Sequence, residues 1–149
     1  MTEWHLAQLN VGRAVAPLDD PVMADFVARL DEINTLGTLS PGFVWKLQGE
    51  GGTSVELQVT DDPQYVVNLT VWESIDDLHA FSYRSDHKTV FKRRFDWFEH
   101  RDTPNFCLWW QPAGEVPTLE EAHRRLELLA TNGPTADAFT FKQRFPPPD

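Results

Sequence analysis

Cysteine is nearly absent from this chain of 149 residues: Cys107 stands alone, so no disulfide can form within it. Positive charge is also scarce. Lys and Arg number 13 against 23 Asp and Glu, a formal net charge of −10. A duplex-binding surface needs concentrated positive charge, so no nucleic-acid partner is expected. The same balance disfavours an anionic membrane surface. No apolar run approaches the roughly 20 residues of a spanning helix. Residues Met1 to His5 carry neither the basic nor the apolar stretch of a secretory leader, and the expectation is a cytoplasmic protein. Metal motifs are missing too. The five His residues (5, 79, 87, 100 and 123) include no pair at ligand spacing with a third candidate nearby, so no metal is expected. Gly49, Gly51 and Gly52 lead towards a strand rather than a helix, which reads as a hairpin tip and not a phosphate loop. No nucleophile elbow is present. No cofactor is implied by any of these patterns.

What the chain has instead is rings. Six Trp, ten Phe and two Tyr bring aromatics to 12%. Large flat side chains build cores, and they also line pockets for planar ligands. The length suits a single domain spanning residues 1–149 and suffices for a real core.

Trp4–Val11 alternates as a strand, with His5, Ala7, Leu9 and Val11 on one face and Trp4, Leu6, Gln8 and Asn10 on the other. Asp20 and Pro21 open a helix whose stripe runs through Val22, Phe26, Leu30 and Ile33. Phe43–Leu47 reads as a strand, Val55, Leu57 and Val59 as a short outer one, and Tyr65–Trp72 as a third. Ser74, with Asp77 three residues on, caps a helix that buries Ile75, Leu78 and Phe81. A second helical stretch runs from about His87 to Phe98. Asn105–Gln111 is a strand. Thr118 and Glu121 open a last helix, closed by Gly133-Pro134, and Phe139, Phe141 and Phe145 repeat with the period of a strand.

Without the insertion and the C-terminal pair, the order is β-α-β-β-α-β, the split βαβ of the ferredoxin-like α+β class. Helices are expected on one sheet face. The other face is also apolar, and a second copy of the chain is expected to cover it, giving a homodimer through the sheet.

Candidate site residues follow from strand parity. Gln8 and Asn10 share a face of the first strand, and Asn68 and Trp72 share a face of the third. Amides on central strands are either paired structurally or line a wet cavity. On the later helix His87, Phe91 and Arg94 fall on one edge, where His87 can carry protons near neutral pH. Beside Asp86 it can equally be a surface histidine. From Arg84 to Arg94 the chain holds Arg84, Lys88, Lys92, Arg93 and Arg94 against Asp86, a stretch that can attract a small anion or be a solvated face paired with Asp96 and Glu99. Trp45, Trp97 and Tyr83 complete the candidate aromatic lining, with core packing as the alternative for each tryptophan.

The segments Trp4–Asn10, Ser40–Trp45, Val67–Ser74, Tyr83–His87, Leu108–Trp110, Gly133–Thr135 and Ala138–Phe141 resemble an uncharacterised bacterial family, domain of unknown function 3291. Through Trp72-Glu73-Ser74, Leu78 and His87 it is more distantly similar to the antibiotic-biosynthesis monooxygenases and other dimeric α/β barrels. The resemblance implies a homodimer with a pocket between sheet and helices. It does not imply one reaction, since the fold hosts many; the enzyme expected here is a cofactor-independent monooxygenase acting on an aromatic or polyketide-like molecule. In that scheme His87 accepts a proton, Asn68 and Asn10 orient the substrate oxygen, Arg94 stabilises negative charge and Trp72 packs on the ring. The alternative is a non-catalytic dimer that binds heme or another planar ligand. Where heme-degrading relatives carry a helical His, this chain has Phe81.

Overall fold

The structure of the protein, a computed structural model, describes residues 3–17, 19–28, 38–47, 65–82, 97–99 and 104–148. In chain order these form β1 (Trp4–Arg13), α1 (a 3-10 turn, Pro21–Met23, running into helical residues 24–28), β2 (Phe43–Lys46), β3 (Tyr65–Trp72), α2 (Ile75–Ser82), β4 (Phe106–Pro112) and α3 (Leu119–Asn132). The strands make one sheet in the order β2-β3-β1-β4, antiparallel at every step. This is the ferredoxin-like arrangement that the sequence order implies.

Period-two alternation divides the sheet into two faces. Ala7, Leu9 and Val11 of β1, Val67 and Leu69 of β3, and Cys107 and Trp109 of β4 are buried on the rear face, packed with Ala122, Leu126 and Leu129 of α3. The front face divides into two clusters. Leu6, Trp72 and Leu108 pack with Leu78 of α2, Phe139 and the C-terminal rings. At the other end Ala14 packs with Met23, Phe26 and Trp97. Gly12 keeps strand and ring in contact there, because a Cβ at this position would lie 2.9 Å from Phe98 Cδ1.

Within the chain, α3 packs on this rear face, through Ala122, Leu126 and Leu129.

Local signals account for the element ends. Val22 N–H donates to Asp20 Oδ1 at 3.0 Å, and Glu121 N–H donates to Thr118 Oγ1 at 3.1 Å. At α2, Asp77 N–H donates to Ser74 Oγ (3.1 Å) while that hydroxyl donates to Asp77 Oδ2 (2.9 Å). The short Asp side chain thus answers the capping hydroxyl instead of the backbone N–H that a longer Glu reaches in a capping box. Gly133 ends α3 with φ of 73°.

The expected C-terminal strand is replaced by something shorter. Phe139 forms a bridge to Leu108, with N–H···O distances of 2.8 and 2.9 Å in the two directions. The chain then turns at once, as Thr140 bridges Gln143 and Thr140 Oγ1 accepts from Lys142 N–H. Phe139, Phe141 and Phe145 still join one cluster, so their spacing served packing rather than a ladder. The expected strand Val55–Val59 and most of the expected helix His87–Phe98 lie outside the described residues. No described helix is long and apolar enough to cross a membrane.

Candidate functional site

Register places the front-face side chains in rows. The first row is Phe43, Trp72, Leu6 and Trp110, reading from β2 to β4. The next is Lys46, Thr70, Gln8 and Leu108, and the third is Asn68, Asn10 and Phe106. Val66 and Gly12 follow. A polar strip thus crosses the middle of an otherwise apolar face, between the cluster under α2 and the cluster at α1.

Part of the strip is internally satisfied. Trp72 Nε1–H donates to Thr70 Oγ1 at 2.9 Å, and Thr70 Oγ1–H donates to Gln8 Oε1 at 2.7 Å. All three residues are buried. Such a relay holds its members in one geometry, because any member left unpaired would carry its full desolvation cost. The remainder is open. Asn10 and Asn68 are direct cross-strand partners, their Cβ atoms about 5 Å apart by strand geometry. Asn10 is exposed and Asn68 half-buried, and neither amide has a hydrogen-bond partner among the described residues.

Lys46 joins this strip, which the sequence patterns did not reveal. Its neighbours Trp45 and Leu47 both pack against the rear cluster, so alternation turns Lys46 to the front beside Thr70. It has no acidic partner among the described residues. An ammonium and two amides with no partner among the described residues make a surface able to donate hydrogen bonds to an oxyanion.

The structure separates other candidates from this strip. Trp45 faces the rear. The register shifts between Phe43 and Trp45, and that bulge sends these two residues, normally on one side, to opposite faces. Trp97 is 1% exposed and packs on Phe26, so it is core rather than lining. Trp72 is equally buried, with Phe81 stacked on it (5.3 Å between centroids) and Phe43 against its edge (5.5 Å). Its place beside a ligand ring is therefore taken by the chain's own phenylalanines. Gln8 contributes through the relay. His87, Arg94, Tyr83 and Phe91 lie outside the described residues. A shallow depression of about 440 Å³ runs along β2, lined by Thr38, Phe43, Val44, Trp45, Lys46 and Leu47; it shares Lys46 with the strip but not the asparagines.

A second polar constellation, on the rear face, escaped the sequence patterns. Tyr65 of β3 and His123 of α3 lie 2.9 Å apart, Oη to Nε2, although 58 residues separate them. Nothing in local spacing points to such a pair. Cys107, beneath α3, is held inert by burial, which pushes its thiol up to about 12.

A split-βαβ antiparallel sheet with a polar strip between its front-face clusters defines a small α+β domain of the ferredoxin-like class. The chain belongs to the family of domain of unknown function 3291, whose profile matches residues 5–149. Comparison with curated proteins finds no match. Among solved structures, the fold is similar to SnoaB, a cofactor-independent oxygenase from Streptomyces nogalater, at 14% identity and a TM-score of 0.48 over 77% of this chain and 96% of that one. It is also similar to PA3566 from Pseudomonas aeruginosa (8% identity, TM-score 0.49, 78% and 99% covered). Rv0793 from Mycobacterium tuberculosis is alike to the same degree (10% identity, TM-score 0.49, 77% and 98% covered). The likeness is one of fold and says nothing of chemistry.

Proposed function

We propose that the front-face strip binds a small aromatic molecule through an oxygen that carries, or develops, negative charge. The observation that supports this is the facing pair Asn10 and Asn68 beside Lys46, without a hydrogen-bond partner among the described residues, next to the self-satisfied relay of Trp72, Thr70 and Gln8. A half-buried amide such as Asn68 is normally paired, and with Asn10 and Lys46 at hand it can be completed by a ligand oxygen.

The sequence resemblance extends this to a monooxygenase-like reaction without a cofactor. An aromatic or polyketide-like substrate with an acidic C–H loses its proton to His87. The resulting anion reacts with dioxygen, a CH2 group becoming C=O while the second oxygen atom leaves as water. Asn68, Asn10 and Lys46 hold the substrate oxyanion, and Arg94 adds positive charge. The homodimer implied by the same resemblance belongs to this proposal.

The test is titration of the protein with naphthols and anthrone by fluorescence, followed by oxygen uptake in metal-chelated buffer. The expected result is saturable binding, weakened about tenfold or more by Asn68→Leu and by Lys46→Met, the loss of one or two charge-assisted hydrogen bonds. Trp45→Phe, on the other face, leaves binding unchanged. No saturable binding, or equal affinity in all variants, overturns the site. Binding without oxygen uptake overturns the oxygenase and leaves a binding protein.

A further inference from the structure

His123 sits one turn into α3, and its Nδ1 is 2.9 Å from the Leu119 carbonyl. A carbonyl oxygen only accepts, so Nδ1 carries the hydrogen. In the neutral ring Nε2 is then a lone pair. The phenol of Tyr65 is 2.9 Å from that nitrogen and donates to it. The two rings are held nearly parallel, 29° apart, with centroids separated by 6.0 Å. Both residues are half-buried, so neither is sealed in the core while packing restrains them.

This is the geometry of an activated oxygen nucleophile. A hydroxyl touches a base, and the base is fixed in tautomer and direction by a third group. Arg13, the cross-strand partner of Tyr65 on the same face, brings a cation to the neighbourhood, although its guanidinium also pairs with Glu99. None of these residues takes part in the front-face strip.

We propose that the Tyr65–His123 pair on the rear face is a second reactive site, at which Tyr65 is modified by hard electrophiles of the acyl or sulfonyl class. The proton of Oη passes to Nε2 of His123. The phenolate oxygen then attacks the electrophilic centre. With an arylsulfonyl fluoride the S–O bond forms, the S–F bond breaks, and fluoride departs. The imidazolium returns its proton to solvent.

The chain has two tyrosines, Tyr65 and Tyr83, so the site of reaction is read directly. The full chain is treated with an arylsulfonyl fluoride at neutral pH, and adducts are timed by intact mass and peptide mapping. The expected result is a first adduct on Tyr65, slowed about a hundredfold by His123→Gln, which offers the phenol an acceptor but no base. Tyr65→Phe removes it. Labelling of Tyr83 or of lysines with Tyr65 untouched overturns the proposal, as does an unchanged rate in a folded His123→Gln protein. Should that variant not fold, the tautomer decides. Imidazole 15N spectra of the unmodified protein must show Nε2 of His123 without a hydrogen, and a hydrogen on Nε2 overturns the assignment.

Discussion

Gly42 and Asp77 are in direct contact across the turn that precedes β2, and a Cβ on Gly42 would overlap the Asp77 carboxylate. Gly42 also has φ of 83°, a conformation that costs little only without a side chain. Its carbonyl accepts from Glu73 N–H at 2.7 Å, so the turn is tied to the end of β3. Asp77 is in turn committed to the α2 cap. Gly42→Ala therefore forces strain and displaces a capping group together. Stability in urea is expected to fall by more than about 2 kcal/mol. A loss of a few tenths would show that the turn relaxes freely.

Thr70 is the middle of a buried relay, accepting from Trp72 and donating to Gln8. Thr70→Val keeps the shape but strands both partners. The expected cost is about 2 kcal/mol, measured by denaturant unfolding. Adding Gln8→Leu should then cost less than it does in the wild-type protein, because the partner is already lost. Strict additivity would mean that the two residues are not coupled.

Glu121 accepts from both Arg124 and Arg125, and the Arg124 hydrogen bond is the main cause lowering its carboxyl to about 2. A folded value below the unfolded one favours the fold while the group is ionised. The contribution is complete above about pH 4.5, its ordinary value, and disappears as pH falls to about 2. The side chain is 35% exposed, so solvent screening limits the effect to about 0.5 kcal/mol. Glu121→Gln should thus be less stable than wild type at pH 7 and equal to it near pH 2. A difference that does not change with pH would assign the effect to something other than charge.

Leu126 is 5% exposed between α3 and the rear of the sheet. Leu126→Asp is expected to cost about 3 kcal/mol or more, combining lost burial with an unpaired polar group. It should also release apolar surface, seen as self-association in sedimentation velocity. A wild-type dimer that the substitution splits into equally stable monomers would instead place α3 on a partner's sheet.

Much of the fold was legible because its signals are local. Tyr65–Trp72 is bounded by Asp61-Asp62-Pro63 and a helix cap, and β3 occupies those residues. Thr118 with Gly133 brackets α3 in the same way. Strand parity pairs Gln8 with Asn10 on β1 and Asn68 with Trp72 on β3, and only the register puts the two pairs on one sheet face. The rest depended on contacts between segments distant in sequence. A two-residue alternation does not announce a bulge, so local spacing groups Trp45 with residues it turns away from and does not point to Lys46.

The sequence by itself determined the described strands and helices from β1 to α3, their caps and the alternation that makes two apolar faces, because each depends on neighbours within a turn or a strand. Only tertiary structure decided that α3 packs on the rear face, that Trp72 is spent on Thr70 and Phe81, and that Tyr65 meets His123. Those outcomes depend on which surfaces compete for burial, and that competition is settled in three dimensions.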